Sequence, residues 1–213
     1  MKTLLLTTLA ALTMTAPTRA DDRRIRDLTG SYPAATARRI ALDLPPGEIR
    51  IEPSPDGRLR VELGVYCAFD GERCDERAAK LSLATEVDGN TLRFRVDGMP
   101  AVNARGLNLR GRIQVPRATT LEVNLGAGEL KIRGIEGDLD VDVGAGEIEI
   151  DLRERDVRSV RVGVGIGEAT LSVSGHTIEG SGWLGHRVRW GEGSGPSRIA
   201  VNLGVGEVHV GLD

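Results

Sequence analysis

The sequence predicts an all-β protein built as a single-stack β-solenoid of short strands, and three observations lead to this prediction. Apolar and polar residues alternate along most of the chain, which is the pattern of strands that bury one face. A segment with two glycines and a glutamate recurs at intervals of about 20 residues, as stacked coils require. Aromatic residues make up only 3% of the chain. The core must therefore be thin and filled by aliphatic side chains.

The repeat consists of alternating apolar residues, the step Gly-x-Gly-Glu, and alternating apolar residues again. Its glutamates are Glu129, Glu147, Glu168 and Glu207, with a weaker copy around Glu48. In the first copy the apolar residues change from odd to even positions across the glycines, so the step changes the buried face, as a bend or bulge does. Glycine suits a bend because its backbone adopts positive φ and lets neighbouring chains approach. We expect a structural role for eight corner glycines, which are Gly126, Gly128, Gly144, Gly146, Gly165, Gly167, Gly204 and Gly206.

A phosphate-binding loop is the alternative interpretation of these glycines. Residues 163–167 read GVGIG, which matches part of a dinucleotide-binding fingerprint. That fingerprint needs a helix after the glycines, whereas EATLSVSG follows here with the alternation of a strand. No copy contains the Gly-Lys-Ser or Gly-Lys-Thr of a P-loop. The context therefore favours a structural unit.

The spacing of the glutamates predicts rungs of about 18–21 residues that stack in chain order. From Glu129 to Glu207 the successive gaps are 18, 21 and 39 residues, and the longest gap predicts a degenerate copy near residues 186–195. Asp-Gly-Asn at residues 88–90 indicates an antiparallel hairpin. The strand topology of residues 40–117 therefore stays open between a hairpin-rich region and further degenerate rungs. No segment carries a convincing helix pattern.

The chain opens with the pattern of an export signal. Lys2 precedes a short apolar run and Ala20 ends a small-residue cleavage pattern, so residues 1–20 are interpreted as a signal peptide. An uncleaved anchor is the alternative, but the run is short for a bilayer. We expect a polar N-terminal segment, a loop or short turn, at residues 21–37 and the β-solenoid domain at residues 38–213. No later stretch is apolar enough to cross a membrane.

The charge of the chain argues against nucleic acid as the main partner. The formal net charge is −3. Removal of Lys2 and Arg19 with the signal peptide leaves 26 basic and 31 acidic residues, a net charge of −5. Surfaces that bind DNA or RNA are basic.

The two cysteines, Cys67 and Cys74, are expected to form a disulfide because export leads to an oxidising compartment. The closed loop of about eight residues would stabilise the fold by roughly 2–3 kcal/mol. A redox-active pair is an alternative that lacks the C-x-x-C spacing. A zinc site is another, and it lacks nearby histidines.

Residues 111–152 resemble the bacterial putative-adhesin domains of the toast-rack type. The resemblance is carried by the strand that ends in Val115-Pro116, the strand from Leu121 to Leu125, the Gly-x-Gly-acid corner and the link GIEGDLDV. It extends in weaker form over residues 38–213. The resemblance implies an all-β, solenoid-like module of an exported or envelope protein. It brings no catalytic residues.

Stacked rungs would place Glu129, Glu147 and Glu168 in a ladder about 4.8 Å apart. Such a ladder of carboxylates is a candidate calcium site. The alternative, which we favour, is that these glutamates face water and form ion pairs with basic neighbours, because dedicated calcium loops show denser acidic clusters. We therefore expect no metal and no cofactor.

Residues 180–195 contain both tryptophans of the chain. Trp183, His186, Arg187 and Trp190 form a candidate binding surface, because exposed Trp beside Arg stacks on sugars or fills a partner's pocket. The alternative, which we favour, is that Trp190 is a core or capping residue of the degenerate rung and Trp183 covers a strand edge, so that the two tryptophans guard the C-terminal end of the stack.

The function that these patterns favour is that of an exported, non-enzymatic module, periplasmic or secreted, which gives a rigid surface for binding, adhesion or cell-envelope organisation. An envelope protein or a polysaccharide surface is the expected partner. The alternative is a carbohydrate-active parallel β-helix enzyme that acts on an anionic polysaccharide. Such an enzyme would need a catalytic base in a groove, and no motif in the sequence indicates one.

Overall fold

The computed structural model describes residues 23–67, 72–99, 106–181 and 185–213. The fold is nearly all β, with one large, mostly open sheet and a single α-helix among the described residues. The strands are β1 Arg23–Pro33, β2 Arg39–Leu44, β3 Gly47–Pro53, β4 Arg58–Cys67, β5 Ser82–Asp88, β6 Thr91–Asp97, β7 Leu107–Val115, β8 Thr120–Arg133, β9 Leu139–Leu152, β10 Val157–Val173, β11 His176–Glu179, β12 His186–Trp190 and β13 Ser197–Leu212. Helix α1 spans Glu72–Lys80, and a 3-10 turn spans Glu154–Asp156.

Four long strands carry the repeat: β8, β9, β13 and β10. They are 14 to 17 residues long, and each runs through its Gly-x-Gly step without a break. The expectation of short strands is therefore wrong for the repeat. The glycine step divides each strand into a segment before it and a segment after it, and we call the two parts of the sheet the first and the second half-sheet.

The two half-sheets have different neighbours on either side of the same four strands. In the first half-sheet the order is β5-β6-β2-β8-β9-β13-β10-β12. In the second it is β1-β4-β7-β3-β8-β9-β13-β10-β11. Buried residues from both half-sheets belong to one hydrophobic cluster, so the two halves share one core. Apart from Phe94, the largest fully buried side chains are Leu and Ile, as the low aromatic content predicts.

Among the four repeat strands, the order departs from chain order at one place. Strand β9 follows β8 along the chain and pairs with it, in register from Leu121–Leu139 to Arg133–Asp151. Strand β10 does not pair with β9, because β13 lies between them and is parallel to both. The expected degenerate rung is therefore wrong. In its place, residues 186–190 form β12, which is antiparallel to β10.

The first half of the chain combines both topologies that the sequence left open. Strands β2 and β3 form the weaker copy of the repeat, and Glu48 stands in register with Glu129. Strands β5 and β6 form the predicted antiparallel hairpin, with Asp88 opposite Thr91. Strand β4 is antiparallel to β7, whereas β3 is parallel to it.

Two expectations about polar segments are wrong. Residues 23–33, expected as a loop, form β1, which pairs antiparallel with β4 along its length and buries Leu28. The segment after Cys67, where no helix was expected, contains α1. This helix buries Ala78 in the core, and the main-chain oxygens of Ala78 and Ala79 accept hydrogen bonds from Arg26 of β1.

The second glycine of each step shows why a side chain does not fit there. Gly128, Gly146, Gly206 and Gly167 have φ values of 128°, 139°, 136° and 131°, a region that other residues rarely adopt. These four glycines are neighbours in the sheet. A Cβ on Gly146 would overlap the carbonyl oxygen of Gly128, and the same overlap recurs at each step. The glycines thus let consecutive strands keep sheet spacing through the bend.

A disulfide joins Cys67, at the end of β4, to Cys74 in α1, with the two Cα atoms 6.2 Å apart. Cys67 is 1% exposed and lies in the core cluster. The bond therefore fixes the helix to the sheet.

Candidate functional site

The glutamates of the repeat form one row on the outer surface of the second half-sheet. The row runs Glu48, Glu129, Glu147, Glu207, Glu168, with each neighbouring pair in register. Consecutive strands place these residues about 4.8 Å apart. The expected contact between Glu147 and Glu168 is therefore wrong, because Glu207 stands between them.

Basic side chains neutralise one end of this glutamate row. The Lys131 ammonium lies 2.8 Å from a carboxylate oxygen of Glu129 and 3.0 Å from one of Glu149. Arg110 pairs with Glu48 at 3.0 Å. The hydrogen bonds to Glu129 and then to Glu149 raise the pKa of Lys131, and those from Lys131 and then Arg133 lower the pKa of Glu149. No group of three or more His, Cys, Asp or Glu residues suited to a metal ion occurs within the described ranges.

The rest of the second half-sheet carries a mosaic of paired charges. Arg112 bridges Glu52 at 3.2 Å and Glu62 at 2.9 Å. The Arg110 guanidinium also lies over the ring of Tyr66, 4.9 Å from its centroid. Each of these arginines is thus held by groups of the chain itself, which indicates a role in holding neighbouring strands together.

The centre of the first half-sheet is acidic and amide-rich. Asn124 donates a hydrogen bond to Asp43 at 2.9 Å, and Asn202 donates one to Asp142 at 3.0 Å. Burial, followed by repulsion from Asp142 and a further carboxylate, raises the pKa of Asp140. This area therefore repels anions.

Strand β12 places the residues of the predicted binding surface, His186, Arg187 and Trp190, on opposite faces of the sheet. His186 and Trp190 stand opposite the buried residues Val164 and Val160, and Trp190 packs against the core cluster. The Nδ1 atom of His186 is buried without a hydrogen-bond partner in the described part of the chain. Arg187 alternates with them and is exposed on the outer face. Trp183 lies outside the described residues.

Pairing of β12 and β11 with β10 covers a strand edge, but not the expected one. Residues 186–190 pair with the first segment of β10 and residues 176–179 with its second segment. Strand β13, which the sequence placed at the edge of the stack, is an interior strand.

Four exposed arginines gather on the outer face of the first half-sheet, at its β10–β12 end. We call them the arginine surface: Arg161, Arg187, Arg189 and Arg198. Arg161 and Arg189 are directly opposite each other on antiparallel strands. Within the described residues, none of the four guanidinium groups has a carboxylate within ion-pairing distance.

The sequence pattern pointed to Arg187 and Arg189 beside the tryptophans, and Arg187 was included in the predicted binding surface. Arg161 and Arg198 were missed because their proximity to these residues depends on the pairing of β10 with β12 and β13. The available signal was the alternation Val-Arg-Val in both β10 and β12, which places Arg161 and Arg189 on outward positions.

No described helix has the length and apolar character that a bilayer crossing requires.

No family model and no curated protein matches the chain. Two crystal structures are similar. One, from Clostridium sporogenes, is named a "putative cell adhesion protein"; it is 15% identical, with 88% of this chain and 99% of that chain covered and a TM-score of 0.49. The other, from Bacteroides fragilis, is named a "putative adhesin"; it is 16% identical, with 87% and 97% covered and a TM-score of 0.25.

Proposed function

We propose that the protein is an exported, non-enzymatic module that presents a rigid outer face for binding or adhesion at the cell envelope. The observation that carries this proposal is the in-register stack of β8, β9, β13 and β10 through the glycine corner. Each strand pairs with its repeat neighbour along most of its length and has further partners on its other side, so outward side chains stand in rows of fixed spacing. A surface of this kind enters binding without a large loss of conformational entropy.

The arrangement of polar side chains supports a binding role over a catalytic one. A hydrolase needs a nucleophile or a base, an orienting group and a stabilising group that converge in a cleft. The described carboxylates lie instead in rows along exposed faces, and those of Glu129 and Glu149 are tied to Lys131. We interpret the repeat as solenoid-like packing whose corner glycines serve the fold and not a ligand.

Two features support export to the periplasm or beyond. The first is the signal-peptide pattern of residues 1–20. The second is the disulfide between Cys67 and Cys74, which persists in oxidising compartments. Both are consistent with a module that works on the envelope or outside the cell.

The test is capture from a cell-envelope extract. Purified residues 21–213 with an affinity tag are incubated with membrane-free and membrane-containing envelope fractions, and retained proteins and glycans are identified by mass spectrometry. We expect retention of a defined envelope component that excess untagged protein displaces. The same preparation is incubated with anionic polysaccharides, with and without calcium. Release of new sugar ends that scales with protein concentration would contradict the non-enzymatic role.

A further inference from the structure

The positively charged side chains of the arginine surface repel one another, and no ion pair with a described carboxylate compensates for this repulsion. Arg161 and Arg189 occupy directly opposite positions on β10 and β12, and Arg187 lies two residues from Arg189 on the same face. Side chains in opposite positions are about 5 Å apart at Cβ, where like charges destabilise a sheet. By contrast, two exposed arginines elsewhere in the described chain, Arg95 and Arg133, are each held by two carboxylates.

The nearest acidic residues do not neutralise this surface. Glu179 lines a cavity of about 560 Å³ together with Arg187 and Arg189, yet no ion pair connects it to either. Asp140 stands opposite Ala200, one strand beyond Arg161. Asp138 accepts a hydrogen bond from the main-chain nitrogen of Arg198, which does not occupy the guanidinium.

The floor between the arginines is flat and carries neutral hydrogen-bonding groups. Ala200 lies opposite Arg161, and Gly163 lies opposite Arg187, so neither neighbour has a bulky side chain. The Oδ1 atom of Asn202 lies 3.6 Å from the position that a Cβ would take on Gly163. Because the Asn202 amide group donates to Asp142, this oxygen keeps its capacity to accept from a ligand hydroxyl.

We propose that the arginine surface binds an acidic polysaccharide, a glycan chain whose sugars carry carboxylate or sulfate groups. The inference rests on the proposed envelope-binding function and assigns a ligand class to it. Guanidinium groups bind carboxylate and sulfate through two parallel hydrogen bonds. Sugar hydroxyls donate to Asn202 Oδ1 above the flat floor. The acidic centre of the first half-sheet, around Asp140 and Asp142, confines the anionic chain to the β10–β12 end.

Two other polyanions fit this surface less well. Single-stranded nucleic acid gains much of its affinity from bases stacked on exposed aromatic rings. Trp190 of β12 does not offer such a ring, because it packs against the core. An anionic membrane needs apolar or aromatic groups that enter the interface. The residues between the arginines are alanine, glycine, serine and asparagine, which supply none.

The test compares the wild-type protein with two triple variants of equal charge. The first, R161Q/R187Q/R189Q, removes three of the four arginines of the arginine surface. The control, R24Q/R95Q/R133Q, removes three exposed arginines that form ion pairs elsewhere. Binding to polygalacturonate, dextran sulfate, neutral dextran and a single-stranded DNA 20-mer is measured by biolayer interferometry at low and high salt, and folding by circular dichroism.

We expect the wild type to bind polygalacturonate or dextran sulfate and not neutral dextran, and to bind more weakly at high salt. The two acidic polymers distinguish carboxylate from sulfate recognition. The R161Q/R187Q/R189Q variant should lose about 30-fold in affinity, which is about threefold for each of the three lost charge-assisted contacts. The control should lose less than about threefold, because its charges are already paired.

Three results would overturn this inference. They are equal losses in both triple variants, wild-type binding to DNA at least as tight as to the acidic glycans, and no wild-type binding to either acidic glycan. If the protein still captures an envelope component in the last case, the assigned ligand class fails while the envelope-binding function stands. If R161Q/R187Q/R189Q is unfolded, the single variants R187Q and R189Q replace it, each with an expected loss of about threefold.

Discussion

Replacement of Gly146 by alanine tests the mechanical role of the glycine corner. Gly146 is the second glycine of its step and has a φ of 139°. The added Cβ would meet the carbonyl oxygen of Gly128 on β8, at the position where the two strands bend together. The next strand, β13, has Gly206 at the same register position. The methyl group must therefore push apart two strands in the middle of the stack.

The expected loss in unfolding free energy has two parts. Holding alanine in this backbone region costs about 1–3 kcal/mol, and displacing a packed neighbour costs about 1–3 kcal/mol more. A total of about 2–6 kcal/mol lowers the melting temperature by roughly 4–24 °C in a domain of this size. Urea unfolding and thermal unfolding followed by circular dichroism measure both quantities.

Two matched variants separate the two parts. Gly57→Ala keeps an unfavourable φ of 71° but has no neighbour within 4 Å, so only the conformational part, about 1 kcal/mol, should remain. Gly163→Ala lies in β10 without positive φ, and its Cβ would meet only Asn202 Oδ1 at 3.6 Å, so stability should change by less than about 0.5 kcal/mol. The structural role would be refuted if the Gly146→Ala protein had the melting temperature and unfolding free energy of the wild type, whether or not it had lost a ligand.

Three further variants probe the disulfide and the two perturbed carboxylates. Cys74→Ser should lower stability by roughly 2–3 kcal/mol through loss of loop closure, and two alkylatable thiols in unreduced wild-type protein, detected by mass spectrometry, would contradict the bond. The lowered pKa of Glu149, caused by hydrogen bonds from Lys131 and Arg133, gives stability that is present above its ordinary pKa and lost as the pH falls through the lowered one. Glu149→Gln should therefore destabilise by about 0.5–1 kcal/mol at pH 7, with a difference from wild type that shrinks below about pH 4; a constant difference in urea titrations would exclude this linkage. The pH dependence that Asp140 gives to stability has the opposite sign. Burial raises the pKa of this carboxyl, so its charged form lowers the stability of the fold as the pH rises. Asp140→Asn should thus stabilise at pH 7 by up to about 0.5 kcal/mol and have no effect at pH 3, and equal stabilisation at both values would refute the assignment.

Alternation and the glycine repeat were sufficient to predict strand on both sides of each glycine step and the register between copies, but not that each strand runs through the step without a break. Every copy places its glutamate opposite the glutamate of a neighbour, because only then do the glycines lie side by side. Because all copies share this register, the sequence could not predict the order of the strands in the sheet. Any copy can pair with any other in that register, so the short step along the chain from Glu147 to Glu168 could not show that Glu207 stands between them.

The weaker predictions concern segments whose structure depends on tertiary contacts. Strand β1 has no clean alternation and buries mainly Leu28, so its pairing with β4 outweighs its polar composition. Helix α1 has nine residues, too few for helix propensity to be decisive. At the candidate site, the pattern located Arg187 and the tryptophans, but only strand pairing shows that Arg187 and Trp190 point to opposite sides of β12.

The position of β13 determines when the sheet can be completed. Strands β9 and β10 are close in sequence, yet each forms its long parallel ladder with β13, which is synthesised after both. Until residues 197–212 are available, the facing edges of β9 and β10 have no partner, and bringing β13 to β9 closes a loop that contains all of β10, β11 and β12. High contact order of this kind slows folding. The stack of four long strands can therefore close only after its last strand has joined, and we expect this step to come late in folding.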